Sequence, residues 1–333
     1  MITSNLGVGP MSTEVIEAVF RYSHFHRKEL MLIASKNQID YSGGYVNNWN
    51  TRKYCEYLDE LKKKYNFSNV KNCRDHCGPG FNGNMSMDDT YRTIESDIEN
   101  GFDLIHVDLC YFEGTNPERL DESKKAIEHC FKLNSDIAIE IGTDENLGSK
   151  YSLNSLEDIE KEAEFFSSSF DIQFFVVQTG SLVKEINQVG SFNKDFITEM
   201  RDIIHSHDIK LKEHNADYLS KSEIEERTGI IDAMNIAPQL GVIQTGIVLN
   251  RCLIYGVSID DFVGSIYQSG KWKKWLHLND DKNKMLCAHI AGHYNFASDE
   301  YKGIIDQLNE HEDINETIIE TLMEVIDHYE SSI

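Results

Sequence analysis

Three things are scarce in this 333-residue chain, and each scarcity excludes a class of function. Positive charge comes first: 32 Lys and Arg stand against 56 Asp and Glu, a formal net charge of −24. Such a surface repels nucleic acid and anionic lipid, because holding a polyanion requires a basic stripe that releases its counterions. The nearest approach to one, "GKWKKW" at 270–275, reads as a surface helix end whose two Trp rings pack on the body of the protein. A small anionic substrate is still allowed, since backbone dipoles, a metal or one Lys reverse the field inside a pocket. Long apolar runs are the second scarcity: none approaches the roughly 20 residues that cross a bilayer. The opening "MITSNLGVGP" also lacks the charged and apolar regions of a signal peptide, so no membrane partner and a cytoplasmic location are expected. Third, there is no disulfide pattern. Seven cysteines at irregular spacing are an odd number and argue for reduced thiols. Cys73 and Cys77 flank Asp75 and His76, but their better reading is as small buried residues beside a strand rather than as a Cys–His metal site.

What the chain does have is alternation. A hydrophobic content of 40% is ample for a full core. Eight short apolar runs, at 2–8, 30–36, 70–76, 104–110, 137–143, 174–180, 209–215 and 233–239, read as strands. Between most of them, apolar residues recur at three- and four-residue spacing behind Ser, Asp or Asn, which predicts helices over 12–25, 52–65, 88–101, 122–133, 156–169 and 193–207. Regular alternation of this kind means parallel strands joined by helical crossovers, and eight units make a (β/α)8 barrel. A doubly wound open sheet would show a glycine-rich phosphate loop after its first strand, and "GVGPMS" is not GxGxxG. The barrel is expected over 1–256, with a helical extension packed on it over 257–333, including the amphipathic "NETIIETLMEVIDHYESS".

In such a barrel the active site lies where the C-terminal ends of the strands meet. Polar residues collect there: Asn37 and Gln38, Asp75 and His76, Asp108, Glu140 with Asp144 and Glu145, Gln178, His214 with Asp217, and Asn235. Any one alone reads as a cap or loop anchor. Two histidines and several carboxylates around one mouth suit Zn2+ or a similar divalent ion with an open coordination position.

The stretches "IASKNQIDYSGGY", "RDHCGPG", "NGFDLIHVD", "IGTDE", "FFVVQTG", "EHNADYLS", "NIAPQL" and "HYNFASDEY" resemble, in order, those of the GatZ/KbaZ family. Its members are known as the non-catalytic subunit of class II tagatose-bisphosphate aldolase and are related to class II ketose-bisphosphate aldolases. The resemblance implies that His76 and His214 are metal ligands and that Asp75 carries a proton. Where the catalytic relatives have a further ligand His after the sixth strand, this chain reads Gln178-Thr179-Gly180, leaving Gln178 or Glu140 to provide an oxygen. Backbone N–H groups near Gly180, Ser181, Asn215 and Asn235 are implied to hold a phosphate, with Asn37, Gln38, Asp108 and Asp217 lining the substrate. After Ser298-Asp299 the family's arginines are replaced by Glu300-Tyr301-Lys302, which removes a phosphate contact.

The implied chemistry is retro-aldol. A divalent ion polarises a ketose carbonyl, Asp75 takes the C4 hydroxyl proton, and Glu140 or Asp144 handles a second proton. Re-addition after the aldehyde turns over gives C4 epimerisation. The alternative is a non-catalytic stabilising subunit, inactive alone and paired with a class II aldolase chain; a homo-oligomer is also allowed.

Overall fold

The computed structural model describes residues 1–143, 155–277 and 281–333. Eight parallel strands close into a barrel: β1 (Leu6–Val8), β2 (Glu29–Ser35), β3 (Asn69–Cys77), β4 (Leu104–Val107), β5 (Ala138–Gly142), β6 (Phe174–Val176), β7 (Lys210–Glu213) and β8 (Ala233–Ile236). The ring closes where β8 pairs with β1, from Leu6 opposite Met234 to Val8 opposite Ile236. All eight fall within or beside the runs read from the sequence. The last run stops early, because Pro238 already opens a helix.

The crossover helices are α1 (Thr13–His26), α2 (Thr51–Lys64), α3 (Met87–Glu99), α4 (Asn116–Leu133), α5 (Leu156–Ser167), α6 (Lys194–His205), α7 (Lys221–Arg227) and α8 (Pro238–Tyr255). The first seven each begin behind a Ser, Thr or Asn whose side chain accepts a first-turn N–H. The sequence reading lacked α7, which is short, and α8, whose "GVIQTGIVL" has no polar face because the helix is covered by the extension. It also lacked a two-residue antiparallel ladder, Val183–Lys184 against Asn187–Gln188, in the loop after β6.

The extension consists of α9 (Asp260–Ser269), a 3-10 turn at Lys271–Trp275, α10 (Lys284–Ala291), a second 3-10 turn, α11 (Asp299–Asn309) and α12 (Ile314–Glu330). Helix α12 lies against α1 and α8 and shares their core. Arg21 on α1 forks onto the Glu316 carboxylate, and the Tyr329 hydroxyl donates to the Ala216 carbonyl at 2.7 Å. No disulfide joins the seven cysteines, all of which are described and buried. Among the described residues no helix is long and apolar enough to cross a membrane.

Strand periodicity builds the site's foundation. Ile2, Met31, Ile33, Cys73, Leu104, Phe174 and Ala233 form a separate apolar cluster filling the barrel, while the residues between them face the helices. Two residues further along each strand, the same alternation turns Asp75, His106, Glu140, Lys212 and Asn235 inward above that layer.

On the outer face of β3, Arg74 is fully buried and forks onto Asp97 of α3, with Nε to Oδ2 at 2.6 Å and Nη2 to Oδ1 at 2.7 Å. Its Nη1 donates to the Ala34 and Ile39 carbonyls, tying the β2 end to β3 just below Asp75. Removing one partner strands a buried charge, so Asp97→Ala is expected to lose about 3–5 kcal/mol in urea unfolding. A loss below about 1 kcal/mol would show that the pair does not hold this corner.

Candidate metal centre at the barrel mouth

Three imidazoles and one carboxylate converge above the apolar layer. One donor atom from each of Asp75, His76, His106 and His214 lies within 4.8 Å of all the others. Ring centroids are 5.1 Å apart for His76 and His106, 5.1 Å for His76 and His214, and 5.5 Å for His106 and His214. The Asp75 carboxylate faces all three rings: Oδ2 is 3.8 Å from His76 Nε2, and Oδ1 is 3.6 Å from His106 Nδ1 and 3.8 Å from His214 Nε2. These separations exceed hydrogen-bond length, and Oδ1 is buried without a hydrogen-bond partner.

Asp75 and His76 are adjacent, so in a regular strand they would point to opposite faces. A register shift between Arg74 and Cys77 marks a bulge, and His76 has φ +46°, in the left-handed region. The bulge turns His76 to the mouth beside Asp75, and Cys77 resumes the outer face. Holding a histidine there costs on the order of 1 kcal/mol, a strain typical of functional positions.

Each ring is oriented by a partner. Asp108 Oδ2 lies 2.8 Å from His76 Nδ1, and Oδ1 of the same carboxylate accepts the Cys110 N–H at 3.0 Å. His106 Nε2 lies 3.0 Å from the Gly142 carbonyl and therefore donates to it, which leaves Nδ1 as an acceptor, and it takes the His76 N–H at 3.2 Å. His214 Nε2 sits 3.1 Å from Glu140 Oε1, while Glu140 Oε2 accepts from the buried Lys212 ammonium at 2.6 Å. Burial would raise the Glu140 pKa, but Lys212, then His106 and His214, bring it down to about 2. Burial opposes ionisation of Asp75 as well, and the imidazoles of His76, His214 and His106 outweigh it, holding that carboxyl well below the usual range. Three imidazoles with a carboxylate alongside are side-chain types that suit a divalent ion of the zinc type, and His76 has a carboxylate partner on its other nitrogen.

The group of donor atoms that could hold an ion includes His106, from β4, which the sequence reading did not name, in place of Glu140. Gln178 lies half-buried past the end of β6, and both Glu140 oxygens are committed to Lys212 and His214. Period-2 counting from Leu104 marks His106 as inward, and counting from Lys210 marks Lys212.

The remaining candidates divide. Asn235 is buried and faces the mouth, with both side-chain polar atoms unpartnered; a Cβ at Gly7 would lie 2.1 Å from its Oδ1, so only glycine fits opposite it. Asn37 is exposed. Gln38 folds back, accepting from Ser35 N at 2.8 Å and donating to Met11 Sδ at 3.0 Å. Ser181 belongs to an outer network in which its hydroxyl and that of Thr179 donate to Glu213, which Arg227 also grips at 2.7 Å. Gly180 has φ +94° and a Cβ there would meet the Ser191 carbonyl at 2.1 Å, so its role is the turn. Asn215 is left-handed at φ +55°, and its carbonyl accepts from Gln188. Asp144 and Glu145 lie outside the described residues.

Asp217 caps α8, which has no cap of its own: Oδ1 accepts from Gln239 N at 2.8 Å and Ala237 N at 3.0 Å. Its Oδ2 is buried without a partner. Burial outweighs the two N–H groups and raises its pKa to about 7, against about 4 in the unfolded chain. The folded state thus favours protonated Asp217, a contribution complete below about pH 4 and lost as pH rises through 7. Asp217→Asn keeps the acceptor and removes the buried charge. Its melting temperature at pH 8 is expected to exceed wild type by about 2–4 °C. The gap should close at pH 4; a gap independent of pH would contradict the assignment.

No protein-family model matches the chain, and no curated protein is similar to it in sequence. Solved structures are similar in fold. A probable tagatose 6 phosphate kinase from Sinorhizobium meliloti 1021 superposes with a TM-score of 0.80 at 12% identity, over 98% of this chain and 99% of that one. Fructose-bisphosphate aldolase from Campylobacter jejuni gives 0.62 at 14% identity, over 98% and 90%. The YdjI aldolase from Escherichia coli K12 gives 0.55 at 13%, over 94% and 93%. The chain is a closed (β/α)8 barrel with an aldolase-like fold.

Proposed function

We propose that the protein is a metal-dependent aldolase-like enzyme that works at the C3–C4 bond of a ketose or ketose phosphate, by cleavage or by C4 epimerisation. The observation that carries this reading is a carboxylate, Asp75, with one oxygen buried and unpartnered, facing three imidazoles. The aldolase-like fold supports it.

His76, His106 and His214 would hold a divalent ion, which when bound polarises a ketose carbonyl and so stabilises the enediolate left by bond cleavage. Asp75 takes the C4 hydroxyl proton as the C3–C4 bond breaks, the role of a general base that is ionised at neutral pH. The same carboxyl returns the proton if the aldehyde turns and re-adds. Asp108 keeps His76 in one tautomer, and Glu140, held ionised by Lys212, orients His214. The Asn235 amide offers a donor and an acceptor to substrate hydroxyls.

Metal analysis of the purified protein tests the reading. Stoichiometric divalent metal, removed by chelator and restored by Zn2+, is expected. A chain that takes up no divalent metal from excess Zn2+, Mn2+ or Co2+ overturns it.

A further inference from the structure

The three imidazoles at the barrel mouth are not equally enclosed. The His76 side chain is 15% exposed, against 0% for His106 and 4% for His214, which the barrel wall surrounds. The Asp108 carboxylate at Nδ1 fixes one edge of the His76 ring. An edge contact leaves the rotation about the bond to the imidazole soft, because that torsion has broad energy wells. Holding the ring in one orientation takes a second constraint, on its face.

Phe81 supplies that constraint. Its ring stacks on His76 with centroids 4.8 Å apart and planes 21° from parallel, and Tyr111 backs it edge-on at 5.2 Å. Phe81 belongs to the loop at 78–86 between β3 and α3, "GPGFNGNMS", whose glycines alone would leave it loose. It is held down at two points. At its root a Cβ on Gly78 would fall 1.7 Å from the Asp108 carbonyl oxygen, so only glycine lets the loop lie against the residue that orients His76. In its middle Asn82 Nδ2 donates to Asp40 Oδ2 and Asp89 Oδ2, both at 2.9 Å. Asp89 in turn accepts from the fully buried Lys36 ammonium at 2.7 Å and from the Tyr41 hydroxyl at 2.7 Å, and Lys36 reaches the Gly78 carbonyl at 3.4 Å. A buried ion pair gives little net stability of its own. This one grips the loop at the residue after Phe81.

We propose that Phe81 is a positioning residue for the candidate metal centre. The clamp of Lys36, Asp89 and Asn82 presses its ring onto His76, which fixes that imidazole toward His106 and His214 and closes the solvent side of the cluster. The consequence for metal affinity rests on the function proposed above, whereas the stack acts on His76 with or without an ion.

The test compares Phe81→Leu, which keeps apolar bulk without the ring, with Phe81→Tyr, which keeps the ring. Phe81 is only half-buried, and matching melting temperatures check that both variants fold. In the metal-free full-length protein, NMR is expected to show the His76 ring protons shifted upfield by the Phe81 ring and in nuclear Overhauser contact with the His106 and His214 rings, whose centroids lie 5.1 Å away. Both signatures should fade in Phe81→Leu and persist in Phe81→Tyr. Zinc affinity, read by competition with a chromophoric chelator, should fall about tenfold in Phe81→Leu and in Asn82→Ala and stay near wild type in Phe81→Tyr. Imidazole contacts unchanged in Phe81→Leu, or zinc affinity equal in the two Phe81 variants, overturns the proposal. A wild type that takes up no zinc overturns the function proposed above instead, and loss of the imidazole contacts in Phe81→Leu would still establish the positioning role.

Discussion

Asp75→Asn is expected to remain folded and metal-loaded while its turnover of a ketose substrate falls by about 100-fold to 10,000-fold. The amide keeps the shape of the carboxyl but accepts no proton. The group is singled out by its surroundings: one oxygen is buried and unpartnered, and the three imidazoles hold the acid in its ionised form. A structural aspartate spends both oxygens, as Asp108 does on the Cys110 N–H and on His76. Because Asp75 makes no hydrogen bond through Oδ1, the substitution should leave the melting temperature within a few degrees of wild type. Undiminished turnover in Asp75→Asn would move the base elsewhere, with Glu140 a poor substitute because Lys212 and His214 occupy both its oxygens.

The second large effect concerns His106. Replacing it with Ala should lower metal affinity by more than about 100-fold, since even the groups that merely orient a ligand cost 10- to 100-fold when lost. Gln178→Ala is the matched control and should keep its metal. His106 also accepts the His76 N–H on Nδ1 at 3.2 Å, the contact that helps hold the bulge in place. The variant therefore loosens two ligands at once, and its metal loss should exceed that of His214→Ala. Metal retained in His106→Ala but lost in Gln178→Ala would restore the ligand set expected from the sequence.

The difference between those two ligand sets shows where sequence reasoning reaches and where it stops. The strands were legible because short apolar runs at barrel spacing have few other readings, and Asp75, His76 and His214 were legible because they fall at or beside the ends of such runs. His106 and Lys212 were passed over because each sits inside a run, where a single polar residue looks like noise until the period-2 alternation from Leu104 or Lys210 is counted. The convergence of Asp75 and His76 was not legible at all: adjacency argues for opposite faces, and only the bulge reverses that. Gln38, Ser181 and Asp217 were drawn to the site by their residue types, which serve caps and loop ties equally well. Helix α8 was hidden because its "GVIQTGIVL" stretch has no polar face, being packed against the extension helices, while Leu253 and Ile254 in its last turn are exposed.

The central claim is that this chain breaks or remakes a carbon–carbon bond with a divalent ion at His76, His106 and His214. The most direct measurement is to incubate the zinc-loaded protein with a panel of ketoses and ketose phosphates and follow aldehyde release and C4 epimer formation by NMR, with and without chelator. The account predicts turnover of at least one ketose phosphate, abolished by chelator and restored by Zn2+. Inertness toward the whole panel, with stimulation of an added class II aldolase chain instead, would contradict it and assign the protein as a stabilising subunit.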